Sequence, residues 1–106
     1  MEQQVSFIVI HCNRPDADTM KELLAGIEEE GLTFYVNQST IDKDCVTLSY
    51  GASKMSSVGV GIGIAGKNVK LSVQNQMKPF LMDTGNTRAR IIGQNAARYI
   101  KHKPLI

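Results

Sequence analysis

The chain has 106 residues, of which 42% are apolar and nine are glycines, a make-up expected of one globular domain over residues 1–106 and not of a disordered segment. At this size roughly 65% of the unfolded surface can be buried, enough for a core without disulfide or metal staples. Twelve basic and ten acidic side chains leave a net charge of +2, too balanced to argue for nucleic acid or an anionic membrane as a partner.

Residues 5–10 form a short β-branched run that reads as a buried strand. No basic segment precedes it and no small-residue cleavage site follows, so no signal peptide is expected. The apolar stretches fall far short of the ~20 residues that cross a bilayer, and a cytoplasmic protein is expected. Asn13-Arg14-Pro15-Asp16 breaks the strand, and Asp16 or Asp18 can cap a helix. Within that helix Met20, Leu23, Leu24 and Ile27 make one apolar stripe, and Gly31 stands where a helix-ending glycine belongs. A second strand is expected over residues 32–36, then a polar loop, then a helix over residues 42–56. That helix would turn Cys45, Leu48, Ala52 and Met55 inward.

The second half changes style. Val58, Val60, Ile62 and Ile64 alternate with Gly59, Gly61 and Gly63, a period of two that predicts a strand with branched side chains on one face and bare backbone on the other. Ala65-Gly66-Lys67-Asn68 reads as a turn and residues 69–73 as the returning strand. Residues 74–85 read as irregular. A last helix is expected from residue 86 or 87 to about 100, with Ala89, Ile92, Gly93 and Ala96 inward and Pro104 beyond its end. The order β-α-β-α-β-β-α implies a small three-layer α/β sandwich, mostly parallel with one antiparallel hairpin.

Gly61-Ile62-Gly63-Ile64-Ala65-Gly66 matches the dinucleotide-binding G-x-G-x-x-G pattern by letter. That pattern works through a glycine turn opening a helix, whose N-terminus meets the pyrophosphate. Here two glycines lie inside a strand and another strand follows, so nucleotide binding is not expected. The glycines instead let a helix, or a partner's surface, come close to the sheet.

Cys12 and Cys45 lack the spacing of a zinc site and read as reduced, partly buried thiols. His11 next to Cys12 does not make a nucleophile–base pair, because adjacent strand residues point to opposite faces. Nor is there a nucleophile elbow or a phosphate loop.

Glu28, Glu29 and Glu30 crowd the last turn of the first helix, where the helix dipole is negative and acids are disfavoured. No lysine stands at i±4 among them, and Glu28 and Glu30 read equally as solvated side chains. A cation or a basic partner at this corner would compensate them. Carboxylates suit a hard cation such as Mg²⁺, but one helix end cannot complete its coordination, so any metal would be shared with another chain. The final helix is basic: Arg88, Arg90, Arg98, Lys101 and Lys103 gather near it, with His102. Lys101 and Lys103 suit a helix C-terminus without further purpose, and the phenylalanines and tyrosines are not arranged as an RNA-stacking platform.

Three stretches carry a resemblance. Leu23-Leu24-Ala25-Gly26-Ile27-Glu28-Glu29-Glu30-Gly31-Leu32 resembles the G-I-E-E-E-G segment of the small subunits of diol and glycerol dehydratase reactivases. Ala52-Ser53-Lys54-Met55-Ser56-Ser57-Val58-Gly59-Val60-Gly61-Ile62-Gly63 is similar to that family's second helix and V-G-I-G strand. Gly93-Gln94-Asn95-Ala96-Ala97-Arg98-Tyr99-Ile100-Lys101, with Pro104, is similar to its C-terminal G-x-N-A-A-R-x-x-K-x-x-P. The chain departs from the family at Gln76-Met77-Lys78-Pro79-Phe80-Leu81, a shorter segment with one proline.

The resemblance implies a non-catalytic small subunit, folded like the medium subunit of the dehydratase, on a large chaperone-like ATPase subunit. With ATP, the large subunit exchanges the two, and an enzyme inactivated by damaged cobalamin releases its cofactor. The small subunit binds no cobalamin itself. It also implies that the middle acid of the triplet, Glu29, reaches a Mg²⁺ held mostly by the large subunit. The expected partner surface comprises Glu28, Glu29, Glu30, Gly59, Gly61 and Arg98. The expected assembly is a cytoplasmic hetero-oligomer, compatible with a bacterial microcompartment, with no nucleic acid or membrane as partner. Two alternatives stand beside it: a component like the dehydratase medium subunit, and a small-ligand-binding α/β domain using the bare face of the glycine strand.

Overall fold

A computed structural model describes residues 8–74, 80–83 and 88–106, with the backbone alone for residues 80–83. The strand expected from residue 5, the helix start at residue 86 or 87, and most of the departing segment at residues 76–81 fall wholly or partly outside those residues, as do the side chains of Phe7 and Phe80.

The elements run β1 (Ile8–Asn13), α1 (Ala17–Glu29), β2 (Phe34–Gln38), α2 (Cys45–Met55), β3 (Val60–Ala65), β4 (Asn68–Val73), β5 (Phe80–Asp83) and α3 (Ala89–Ile100). The sheet order is β2-β1-β3-β4-β5. β1 pairs in parallel with β2 and β3, while β3–β4 and β4–β5 are antiparallel. The fold class expected from the sequence holds. β5 is an addition: it lies in the stretch read as irregular, and its pairing of Phe80 with Val73 and Asp83 with Lys70 adds a second antiparallel ladder. A four-residue strand is too short to show a period, so only its neighbour reveals it.

Local chemistry sets the helix ends. The Asp16 carboxylate accepts from the Thr19 amide at 3.0 Å, and Asp44 accepts from the Thr47 amide at 2.7 Å, each satisfying an orphan donor of the first turn. At the end of α1, Gly31 takes φ 79. Its amide donates to the Glu28 carbonyl at 3.0 Å and the Leu32 amide donates to that of Ile27 at 3.4 Å, the paired bonds of a Schellman ending. Leu32 then packs against the core. Gly66, φ 59, takes the first central place of the two-residue turn between β3 and β4, a position that a type II′ turn reserves for glycine.

The sheet separates two layers. On one face Ile8, Ile10, Val60, Ile62, Ile64 and Leu71 meet Leu23 and Ile27 of α1 and Ala89, Ile92 and Ala96 of α3. On the other face lies α2. A connection from β1 out to β2 and back past β1 to β3 reverses direction across the sheet. Right-handed crossovers therefore place α1 and α2 on opposite faces.

Glycines set the spacing of both layers. A Cβ on Gly61 would strike the backbone of Ala52 and Ser53, and one on Gly63 the Cys45 carbonyl and the Ser49 amide, so α2 rests directly on the bare face of β3. The choice left open by the sequence is settled in favour of a helix: Gly61 is buried beneath α2 and offers no surface to a partner. Likewise Gly26 of α1 lies against the Arg90 carbonyl, and Gly93 of α3 against that of Leu23. Of the three glycines in the dinucleotide-like pattern, Gly61 and Gly63 are thus packing devices and Gly66 serves the turn, and a strand follows them, as expected.

Gly61→Val should force α2 off the sheet and destabilise the fold by at least about 1–3 kcal/mol, the usual cost of overpacking. Thermal unfolding followed by circular dichroism checks this; an unchanged midpoint would show that α2 does not bear on β3 at this position.

An acidic corner braced by the last helix

The close crossing of α1 and α3 at Gly26 and Gly93 decides what the acidic triplet touches. Glu22 and Glu29, seven residues apart on α1, lie on one face of the helix. Arg90 of α3 sits between them: Nε donates to Glu22 Oε1 at 2.9 Å, Nη2 to Glu22 Oε2 at 3.3 Å, and Nη1 to Glu29 Oε2 at 2.7 Å. Gln94, one turn on, donates Nε2 to Glu29 Oε1 at 2.8 Å. Glu22, through its hydrogen bonds and its charge, and then Glu29 hold the Arg90 guanidinium above its ordinary pKa.

Glu30 is drawn in more tightly. Its side chain is 10% exposed, Arg98 Nε donates to it at 2.9 Å, and the Lys101 and Lys103 ammonium groups lie 3.9 Å away. Lys101 Nζ also donates to the Glu30 carbonyl at 2.6 Å, satisfying an orphan acceptor at the end of α1. The expectation that the triplet lacks compensation within the chain is therefore corrected. The basic last helix supplies it, and Glu30 is not a solvated side chain. Sequence spacing concealed this because the partners stand 61 to 73 positions away. Glu28 is the solvated one: it is exposed, and no hydrogen bond or ion pair with the described residues engages it.

A hard cation would find one suitable donor here. The Glu29 carboxylate is 44% exposed at the negative end of α1, and each oxygen keeps a lone pair beyond its present hydrogen bond. Among the described residues no three histidine, cysteine or acidic side chains converge on a metal position, so these residues do not make a complete metal site. Of the other residues singled out, Arg98 is committed to Glu30 and to the Pro104 carbonyl. Gly59, φ 74, turns the chain into β3. It lines an open groove of about 480 Å³ with Ser53, Ser56, Val58 and Gln74.

The ends of the parallel strands hold structural polar groups. Buried Asn13 donates to the carbonyls of Ser39 and Ile41, at 3.4 and 3.0 Å, and pins the loop before α2. The turn at Gly66 closes over the same place, its amide donating to the carbonyls of Asn13 and Arg14. Cys12 and Cys45 are free thiols, and burial pushes both pKa values up, away from nucleophile chemistry. Cys12 points into the α1–α3 core. His11 points to α2, its Nε2 3.3 Å from Met55 Sδ, so the two neighbours face opposite ways as expected.

The fold and this corner define a class. The profile of the dehydratase medium subunit family matches residues 6–106, and the chain belongs to that family. The propanediol dehydratase-reactivating factor small subunit of Citrobacter freundii is 30% identical to it over 102 residues, covering 92% of this chain and 87% of that protein. The structure of a diol dehydratase-reactivating factor complexed with ADP and Mg²⁺ superposes with a TM-score of 0.77 at 24% identity, covering 100% of this chain and 99% of the other. A glycerol dehydratase reactivase superposes with a TM-score of 0.78 at 23% identity, with 96% of each chain covered. These two likenesses show a common fold, and the relatives bear out the resemblance read in the sequence. No helix among the described residues is long and apolar enough to cross a membrane.

Two predictions follow from the charges. Burial, then the nearby Lys43, lowers the His11 pKa below 6.5. A depressed folded-state pKa means stability is full above the unfolded value and is lost as pH falls through the folded one. The unfolding midpoint should therefore drop as the pH is lowered below the ordinary histidine value of 6.5, and His11→Gln should flatten that slope; an equally steep slope in the variant would assign it elsewhere. Arg98→Ala should destabilise by about 1 kcal/mol, since it unpairs a mostly buried carboxylate that Lys101 and Lys103 still partly compensate. Denaturant unfolding measures it.

Proposed function

We propose that this chain is the non-catalytic small subunit of a reactivating factor for adenosylcobalamin-dependent diol or glycerol dehydratase. Membership of the family and 30% identity to a reactivating-factor small subunit, along nearly the full length of both, carry the reading. The chain supplies a medium-subunit-like body that occupies a docking place on a large ATPase subunit. When it exchanges with the medium subunit of a dehydratase blocked by damaged cobalamin, the opened enzyme releases the spent cofactor. The ATP that drives the exchange places the working complex in the cytoplasm.

In this reading the acidic corner faces the large subunit. Glu29 adds one carboxylate to a Mg²⁺ whose remaining ligands come from the large subunit, and Glu28, exposed and unengaged by the described residues, lies beside it. Arg98 holds Glu30 and so fixes the end of α1 beneath that contact. Gly59 and its groove belong to the same partner surface in this reading, whereas buried Gly61 supports it only through α2. The medium-subunit description of the family favours a second reading, in which the chain binds a dehydratase stably without ATP.

Co-expression with the large subunit encoded in the same genome, followed by size-exclusion chromatography in Mg²⁺ and then EDTA, tests both. A complex that loosens on chelation, and loosens equally in Glu29→Gln, is the expected result. A complex indifferent to both treatments would retain the subunit role and remove Glu29 as a ligand. Failure to bind the large subunit, with stable binding to dehydratase, would replace the reading with the second one.

A further inference from the structure

Resting on the reading of Glu29 as a ligand to a shared divalent cation, we infer that Arg90 is the resident competitor of that cation and sets the concentration at which Glu29 is handed to it. The geometry makes the exchange inexpensive. Arg90 grips Glu22 with two donors and Glu29 with one, so releasing Glu29 breaks a single hydrogen bond and leaves the Glu22 fork in place. Gln94 holds the other oxygen, Oε1, and keeps the carboxylate oriented while Oε2 changes partner. The distance between the helices does not have to change, because Gly26 and Gly93 already place the two backbones in contact.

Electrostatics decides the consequence. At 2.7 Å from Oε2, the guanidinium holds a positive charge against the carboxylate that a cation would ligate and so repels the cation. With only one carboxylate on offer, an aqueous Mg²⁺ gains too little from it to displace Arg90 and shed water. A site completed by a partner's ligands does gain enough. The isolated chain is thereby kept metal-free, and metal capture becomes coupled to docking; by linkage each strengthens the other. A unit charge about 5 Å from a divalent ion in a water-like dielectric changes its affinity by about tenfold.

The test titrates Mg²⁺ into the chain mixed with its large subunit and reads complex formation for wild type, Arg90→Ala, Arg90→Lys, Glu29→Gln and the Arg90→Ala/Glu29→Gln pair. Arg90→Ala should form the complex at about one-tenth of the wild-type Mg²⁺ concentration, Arg90→Lys should remain near wild type, and the double variant should show no Mg²⁺ response. In the isolated chain, Mn²⁺ should broaden the amide resonances of Glu29 and Gln94 more strongly in Arg90→Ala than in wild type, whether or not a complex forms. If Glu29→Gln abolishes the Mg²⁺ response and Arg90→Ala leaves the requirement unchanged or raises it, the competitor role is overturned and the ligand reading stands. If Glu29→Gln responds to Mg²⁺ as wild type does, the ligand reading falls and this inference with it. Equal Mn²⁺ broadening in wild type and Arg90→Ala also overturns it.

Discussion

Backbone-to-backbone contact at bare glycines is the constraint on which this structure depends. Three helices must share the two faces of a small sheet, and each layer is drawn in where a side chain is missing: α2 onto β3 at Gly61 and Gly63, α1 onto α3 at Gly26 and Gly93. The closer approach lets Ile27, Ile62, Ile92 and their neighbours pack without residual exposure. At interior packing density a single added methyl group has nowhere to go, so these positions tolerate no substitution that leaves the helices in place. The same contact gives function its geometry. Arg90 and Gln94 meet Glu29 because the glycine crossing puts the flank of α3 within hydrogen-bond reach of the flank of α1.

The charges along that crossing form one system. α1 ends in three acids against its own dipole, which in an isolated helix would be a defect. Here the last helix and the residues just after it lay Arg90, Arg98, Lys101 and Lys103 along it, and the unfavourable end becomes an interhelical seam. The seam is graded. Glu30 is nearly enclosed and pinned by Arg98, Glu29 is held at the surface by two donors, and Glu28 is left to solvent. An enclosed carboxylate with three cations around it serves the fold. A half-exposed one, held by bonds that can be given up singly, is suited to exchange partners.

A family that includes medium subunits and reactivating-factor small subunits makes sense in these physical terms. In the function proposed above, a subunit that displaces another from a common docking place needs the same body and a different rim. The sheet and its glycine-spaced helices supply a body of fixed dimensions, since that packing admits little variation. The rim is set by side chains at the ends of α1, α2 and α3, which sheet packing does not constrain. The acidic corner and the groove at Gly59 both lie on such a rim.

Much of the fold was legible in the residues themselves. The apolar stripe of Leu23 and Ile27 marked α1, Asp16 was one of two candidates for its cap, and the alternation of Val60, Ile62 and Ile64 with glycine marked β3. Capping and periodicity act over a few residues, so a linear reading recovers them. The failure of the G-x-G-x-x-G letters as a nucleotide site was legible for the same reason: the strand context is local. β5 was not legible, because four residues carry no period and the strand exists through its ladder with β4. Nor was the compensation of the acidic triplet, since Glu29 and Arg90 are 61 positions apart. By itself the sequence determined the elements other than β5, the inward faces and the presence of an unusual acidic helix end. Only the tertiary structure decided which glycine face meets a helix, which acids are neutralised and which carboxylate stays accessible, because ion pairing and close packing depend on distance in space, which chain spacing does not encode.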